Sequence, residues 1–269
     1  MTPDSASDVA RAAKRSTSLQ MLARLGFLVN GLLHILIAAL AIAIAVGDSA
    51  GTADQSGALG HLAGTPGGVV ILWAIVVGLV ALGVWLVLSA FLLRGAHPTR
   101  RWSHRIGDLG KATAYFAFGG TAATFAVGRT TSSGGSARDV TATLLAAPGG
   151  VVVLVLGGFA VLAVAGYFVY KGAVRKFTND IAVPSGLAGQ VIIGIGIVGY
   201  IAKGIALGVV AVLILLAAFT RDASKSTGLD GALKSLAALP YGGVILGTVG
   251  VGLITYGIYC FARAGRARF

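Results

Sequence analysis

The sequence predicts an all-α membrane protein of six transmembrane helices, arranged as three parallel two-helix repeats around a pseudo-threefold axis. Three observations predict it. The 269 residues are 56% hydrophobic and only 11% charged, where soluble domains carry about a quarter charged residues. Six apolar runs are each long enough, at about 1.5 Å per residue, to cross a hydrocarbon core about 30 Å thick. The landmarks of one two-helix unit also return twice along the chain.

Residues 1–20 are polar, with Arg11, Lys14 and Arg15 beside Asp4 and Asp8, and read as a cytoplasmic N-terminal segment. The apolar run at 21–46 is too long for the core of a signal peptide and reads as the first span. Five further spans follow at 68–93, 110–128, 149–173, 190–219 and 242–262. The repeats therefore occupy 21–96, 103–180 and 188–265 and form a single membrane domain. Basic residues near span ends stay in the cytoplasm. Fifteen Lys and Arg lie in the termini and the connections on their side, and five lie in the opposite connections, so both termini are expected to be cytoplasmic. Lys203 is left over from this count and lies inside the fifth apolar run.

The repeat register rests on independent landmarks. Pro66-Gly67-Gly68 returns as Pro148-Gly149-Gly150 and as Pro240-Tyr241-Gly242-Gly243, at shifts of 82 and 92. Gly26 matches Gly107 and Gly199 at shifts of 81 and 92. Asn30-Gly31 answers to Lys111-Ala112 and Lys203-Gly204; Gly78 and Gly83 answer to Ala160 and Ala165, then to Gly252 and Gly257; Trp85 answers to Tyr167 and Tyr259. Each copy is a helical hairpin, so all three enter the membrane from one side.

Between the paired spans lies a short outer amphipathic helix. In the third copy Asp230 precedes Gly231-Ala232-Leu233-Lys234-Ser235-Leu236 as its expected cap, with Leu233 and Leu236 on one face. Ser56 takes the cap position in the first copy, and Asp139 lies one residue off it in the second. Pro66, Pro148 and Pro240 then read as structural corners at the first position of the next span, with glycines that allow close packing. Gly204 with Gly208, and Gly243 with Gly247, form smooth stripes for helix contact, within the bundle or between copies.

Arg24-Leu25-Gly26-Phe27 through Asn30-Gly31, Gly57-Ala58-Leu59, Pro66-Gly67-Gly68 and the Gly78 to Trp85 stretch, each repeated, resemble the bacterial membrane-protein family of domain of unknown function 1206, in three tandem copies. Its members are chiefly actinobacterial six-span proteins, which implies a bacterial inner-membrane home. The family pattern has an aromatic after the first glycine and a basic residue before the second. Phe27 and Tyr200 keep the first feature and Lys111 and Lys203 the second, whereas Asp108 and Asn30 depart from them. The family has no assigned activity, so the resemblance implies architecture and leaves the activity open.

Ionisable groups inside a membrane are candidate functional sites. Lys203, Lys111 and Asn30 share one depth by the register, and the apolar run 204–219 beyond Lys203 places that depth near the cytoplasmic edge. His34 lies one turn from Asn30, with Tyr115 at the matching position of the second copy. Asn30, His34, Lys111, Tyr115 and Lys203 are thus a candidate polar, basic cluster. It reads either as an interfacial ring touching lipid phosphate or as an anion-binding vestibule.

No second histidine shares the depth of His34, and Cys260 is the sole cysteine, so neither haem, a metal site nor another cofactor is expected. Every acidic residue is an Asp in a terminus or connection, which disfavours ion-coupled transport. Recognisable catalytic motifs are missing, and an enzyme is not expected. The basic connection Arg94 to Arg105, with Trp102, suits anionic lipid headgroups on the cytoplasmic side rather than nucleic acid. The leading functional expectation is a non-enzymatic structural or accessory subunit that contacts lipid, another membrane protein or a further copy of itself. The rival is an uncoupled channel or carrier for a small anionic or lipid-like solute.

Overall fold

The computed structural model describes residues 17–48, 52–92 and 98–267. Residues 1–16, with most of the polar N-terminal segment, and Arg94 and His97 of the basic connection lie outside it. The described residues form nine α-helices: α1 (Thr17–Ala45), α2 (Gln55–Ala63), α3 (Gly68–Leu92), α4 (Pro98–Ala126), α5 (Ser133–Ala146), α6 (Gly150–Ala173), α7 (Leu187–Thr220), α8 (Gly228–Ala237) and α9 (Gly242–Arg266). Among them, α1, α3, α6, α7 and α9 are long and apolar enough to cross a membrane, the make-up of a multi-pass membrane protein.

The sixth expected span, 110–128, falls within α4, which is not apolar enough to join those five. Apart from Lys111 and the aromatics Tyr115, Phe116, Phe118 and Phe125, residues 110–126 are small residues and threonines, with no Leu or Val. The hydroxyls of Thr113, Thr121 and Thr124 donate to carbonyls of their own helix, at Leu109, Ala117 and Thr121. These polar groups are therefore satisfied without water.

The three copies share their local punctuation. The first helix of each ends on a left-handed residue, Gly47, Gly128 or Arg221. Just beyond it, the N–H of Asp48, Arg129 or Asp222 reaches back to Ala43, Thr124 or Ala217 at 2.9, 2.9 and 3.1 Å, closing the helix end. Asp222 then accepts from the Ser224 N–H at 2.9 Å, and the Ser224 side chain first, with this backbone bond, holds its carboxyl below the usual carboxylate range.

The proline corners are tight turns. The N–H of Gly68, Gly150 and Gly242 donates to Thr65, Ala147 and Leu239 at 2.9, 3.0 and 2.8 Å. Each proline is the second turn residue, and Gly67, Gly149 and Tyr241 are the left-handed third. This corrects the sequence expectation, since the helices begin two residues after the prolines. A Cβ on Gly68, Gly150 or Gly242 would run into the carbonyl of Leu62, Leu144 or Ala237, so the second glycine allows the short helix to abut the long one.

The short helices are present, but their caps differ from expectation. Asp54, not Ser56, caps α2 by accepting from Gly57 N–H at 2.9 Å, and the Ser56 hydroxyl donates to Asp54 at 2.6 Å. Ser132 caps α5, while Asp139 stands exposed within it. Asp230 sits in the first turn of α8 and accepts from Ala53 N–H of the first copy at 2.8 Å. Ser133 N–H donates to Ser56 Oγ at 3.2 Å, and a Cβ on Gly134 would lie 2.9 Å from the Thr227 carbonyl. The three N-termini thus meet, each copy touching both others.

Glycines set how the long helices pack. A Cβ on Gly257 of α9 would lie 2.6 Å from Ile35 of α1, and one on Gly83 of α3 would lie 2.8 Å from Phe116 of α4. One on Gly204 of α7 would lie 2.8 Å from the Ala165 carbonyl of α6. Gly83, Ala165 and Gly257 are register mates, so the joints between successive repeats use the same positions. Within repeats the pattern breaks. Gly26 packs on Leu82, and Gly199 on the backbone of Tyr256, but at the mates Gly107 and Val164 a Cβ on Gly107 meets nothing within 4 Å and Val164 is 46% exposed. The helices form an arc, α4–α3–α1–α9–α7–α6, with a seam between α4 and α6 where a fully threefold ring would close.

Candidate functional site

The polar groups gather where α1, α7 and α9 meet, toward the end of the bundle that carries the chain termini. Glycine packing brings these helices close: Gly31 against Gly257 and Phe261, and Gly199 against Tyr256. Asn30 donates through its side-chain amide to Cys260 Sγ at 3.4 Å. His34 Nδ1 lies 2.7 Å from the Asn30 carbonyl, which can only accept, so Nδ1 carries a proton. The His34 ring also stands 4.7 Å from the ring of Tyr256.

Lys203 reaches into the same space. Its ammonium donates to the Tyr256 hydroxyl at 3.1 Å and lies 4.3 Å over the Tyr256 ring and 5.1 Å over that of Phe168 on α6. Quadrupole attraction of this kind contributes on the order of 0.5–2 kcal/mol per contact. Lys203 lies midway along the 34-residue helix α7, with the apolar stretch 204–219 forming its second half. Tyr256 precedes the end of α9 by ten residues, roughly 15 Å.

Arg263 stands two turns further toward the termini. Its guanidinium lies 4.4 Å over the Phe27 ring and its terminal nitrogen is 3.6 Å from Asp180, which Lys171 also contacts at 2.6 Å. The Nε of Arg263 is buried without a hydrogen-bond partner. Three cations, Lys171, Lys203 and Arg263, are thus matched by one carboxylate in the described ion pairs of this region. Beside them stands an aromatic box. Phe177 stacks on Tyr200 at 5.2–5.4 Å from Tyr259, with the Tyr259 hydroxyl donating to the Phe177 carbonyl at 3.3 Å.

The structure therefore brings Asn30, His34 and Lys203 together. Tyr115 packs against the neighbouring apolar core. Lys111 is not in the cluster. Its side chain is 63% exposed and pairs with Asp108 at 3.0 Å. Pro66, Pro148 and Pro240 lie at the opposite end, in the corner turns. The sequence reading missed Tyr256, Cys260, Arg263, Phe168 and Asp180. In the sequence Arg263 is one of the basic residues of the C-terminal segment, and the others carry no motif. The one signal for Phe168 and Cys260 is that they are register mates, one placed on Lys203 and the other on Asn30.

Among the described residues, no three His, Cys, Asp or Glu side chains are grouped to hold a metal ion. What the arrangement can do is hold negative charge against a lysine and an arginine, between aromatic walls and beneath a helix seam.

No solved structure matches this chain significantly. It is similar to the uncharacterized protein YxxB of Bacillus subtilis (strain 168), 33% identical over 248 residues that cover 89% of this chain and 88% of that protein. Residues 25–92, 106–175 and 198–267 each match the Domain of Unknown Function (DUF1206), one match to each hairpin. The corner turn recurs once in each matched segment, and the chain belongs to the DUF1206 family as three tandem copies.

Proposed function

We propose that the protein is a non-enzymatic, six-span component of a bacterial inner membrane that binds, and passes without ion coupling, a small anionic or lipid-like solute. In this reading α4 is the sixth span, the three hairpins stand about an axis along the membrane normal, and both termini are cytoplasmic. The observation that carries the reading is the half-buried cation set. Lys203 has a neutral hydroxyl as its hydrogen-bond partner, and Arg263 Nε has none. A charge taken out of water is costly unless paired, and an anionic group supplied by a ligand would pair it.

A second reading, a structural or accessory subunit that packs on another membrane protein, is supported by the open faces of α4 and α6. Native mass spectrometry separates the two on tagged protein extracted gently with its own lipid. Retention of one anionic or lipid species, reduced at least tenfold in Lys203→Met with the fold intact, is expected. A stoichiometric protein partner with no retained small molecule would replace this reading by the accessory one.

A further inference from the structure

Two of the three repeats close on themselves and one does not. The mates of the Gly26–Leu82 and Gly199–Tyr256 contacts are Gly107 and Val164; those of the Gly78–Val29 and Gly252–Ala202 contacts are Ala160 and Gly110. A Cβ on Gly107 or Gly110 meets nothing within 4 Å, and Ala160 and Val164 are exposed. The gap runs along the half of α4 nearer the termini. At the other end the meeting of α2, α5 and α8 ties all three repeats together.

The seam leads to the cations. Its α6 wall contributes an aromatic ring at the cluster, Phe168 under Lys203, and its α4 wall carries Tyr115, packed against the adjoining apolar core. Lys111, the register mate of Lys203, stands exposed on α4 within a turn of Gly107 and Gly110. A seam with apolar and small-residue walls, a cation at its rim, and Lys203 against Phe168 of one wall complements a molecule with a hydrocarbon tail and an anionic head. A water-borne anion would need no slot along the side of the bundle.

We propose that the α4–α6 seam is a lateral port, through which a glycerophospholipid seats its phosphate between Lys203 and Arg263 with an acyl chain along Gly107, Gly110, Ala160 and Val164. This rests on the anion-binding reading above and names its ligand as a membrane lipid. The port is a feature of the second repeat alone.

The test uses full-length protein incubated with vesicles of phosphatidylglycerol in phosphatidylcholine, then examined by native mass spectrometry. A parallel arm measures thermal stabilisation by inorganic phosphate. The double variant Gly107→Trp/Gly110→Trp fills the seam, and the unobstructed sites predict that it folds. Gly120→Trp, also unobstructed but roughly 15 Å further along α4, is the control. Phosphatidylglycerol retention is expected to fall at least tenfold in the double variant and to be unchanged in the control, with the phosphate response kept in both. Unchanged lipid retention in the double variant overturns the port, as does a phosphate response without lipid retention in the wild type. Conversion of a dimer to a monomer by the tryptophans, with lipid unaffected, would assign the seam to a second copy instead. If Lys203→Met alters neither the lipid nor the phosphate response, the anion-binding reading itself falls.

Discussion

Lys203 and Lys111 occupy the same register position and have opposite surroundings. The ammonium of Lys203 is enclosed by Tyr256 and Phe168, whereas Lys111 turns outward to Asp108. Residue type and depth were legible from the repeat; the environment was not, because it depends on whether the second helix of the hairpin lies alongside. Asp54 is a second case. It reads as an ordinary loop aspartate but is buried, caps α2, and through Ser56 connects to Ser133 of the next copy. Asp54→Ala is expected to destabilise the protein by about 1–2 kcal/mol, the typical cost of a lost cap with part of its network. Chemical denaturation in detergent would measure it, and a change below a few tenths would show that the network contributes little.

At the scale of elements, the short and long helices are joined by turns that demand particular backbone conformations. The first two copies place glycine at the left-handed positions, Gly47, Gly67, Gly128 and Gly149, while the third uses Arg221 and Tyr241. A non-glycine residue in that region costs roughly 1–2 kcal/mol. Arg221→Gly and Tyr241→Gly should therefore each stabilise the protein by about 0.5–1 kcal/mol, after the extra unfolded-state freedom of glycine is discounted. Gly149→Ala should destabilise by about 1 kcal/mol. Thermal unfolding of the purified variants decides this, and stabilisation by Gly149→Ala would contradict the turn assignment. The proline corners were readable as corners from sequence. That proline sits inside the turn, two residues before the helix, is set by the hydrogen bond that closes it.

For the molecule as a whole, packing rests on glycine contacts that tolerate no added carbon at the joints. Gly199→Leu and Gly257→Leu would drive a side chain into the Tyr256 backbone and into Ile35, while Gly107→Leu enters open space. The first two are expected to abolish recovery of monodisperse protein on size-exclusion chromatography, and the third to leave it intact. Loss of Gly107→Leu alone would mean that α4 and α6 close in the membrane.

By itself the sequence determined the composition-driven choice of a membrane fold, the three hairpins, the corner positions and the residue types at the inner depth. These depend on local hydrophobicity, on backbone preferences of Gly and Pro, and on a repeat visible in one dimension. Only the tertiary structure decided which repeat stays open, that Cys260, Tyr256, Arg263 and Phe168 meet Asn30, His34 and Lys203, and that Lys111 does not. Those outcomes depend on helix neighbours distant along the chain, and small differences in interface volume, such as Tyr256 against Val164 opposite equivalent glycines, select among arrangements that the repeat pattern alone makes equivalent.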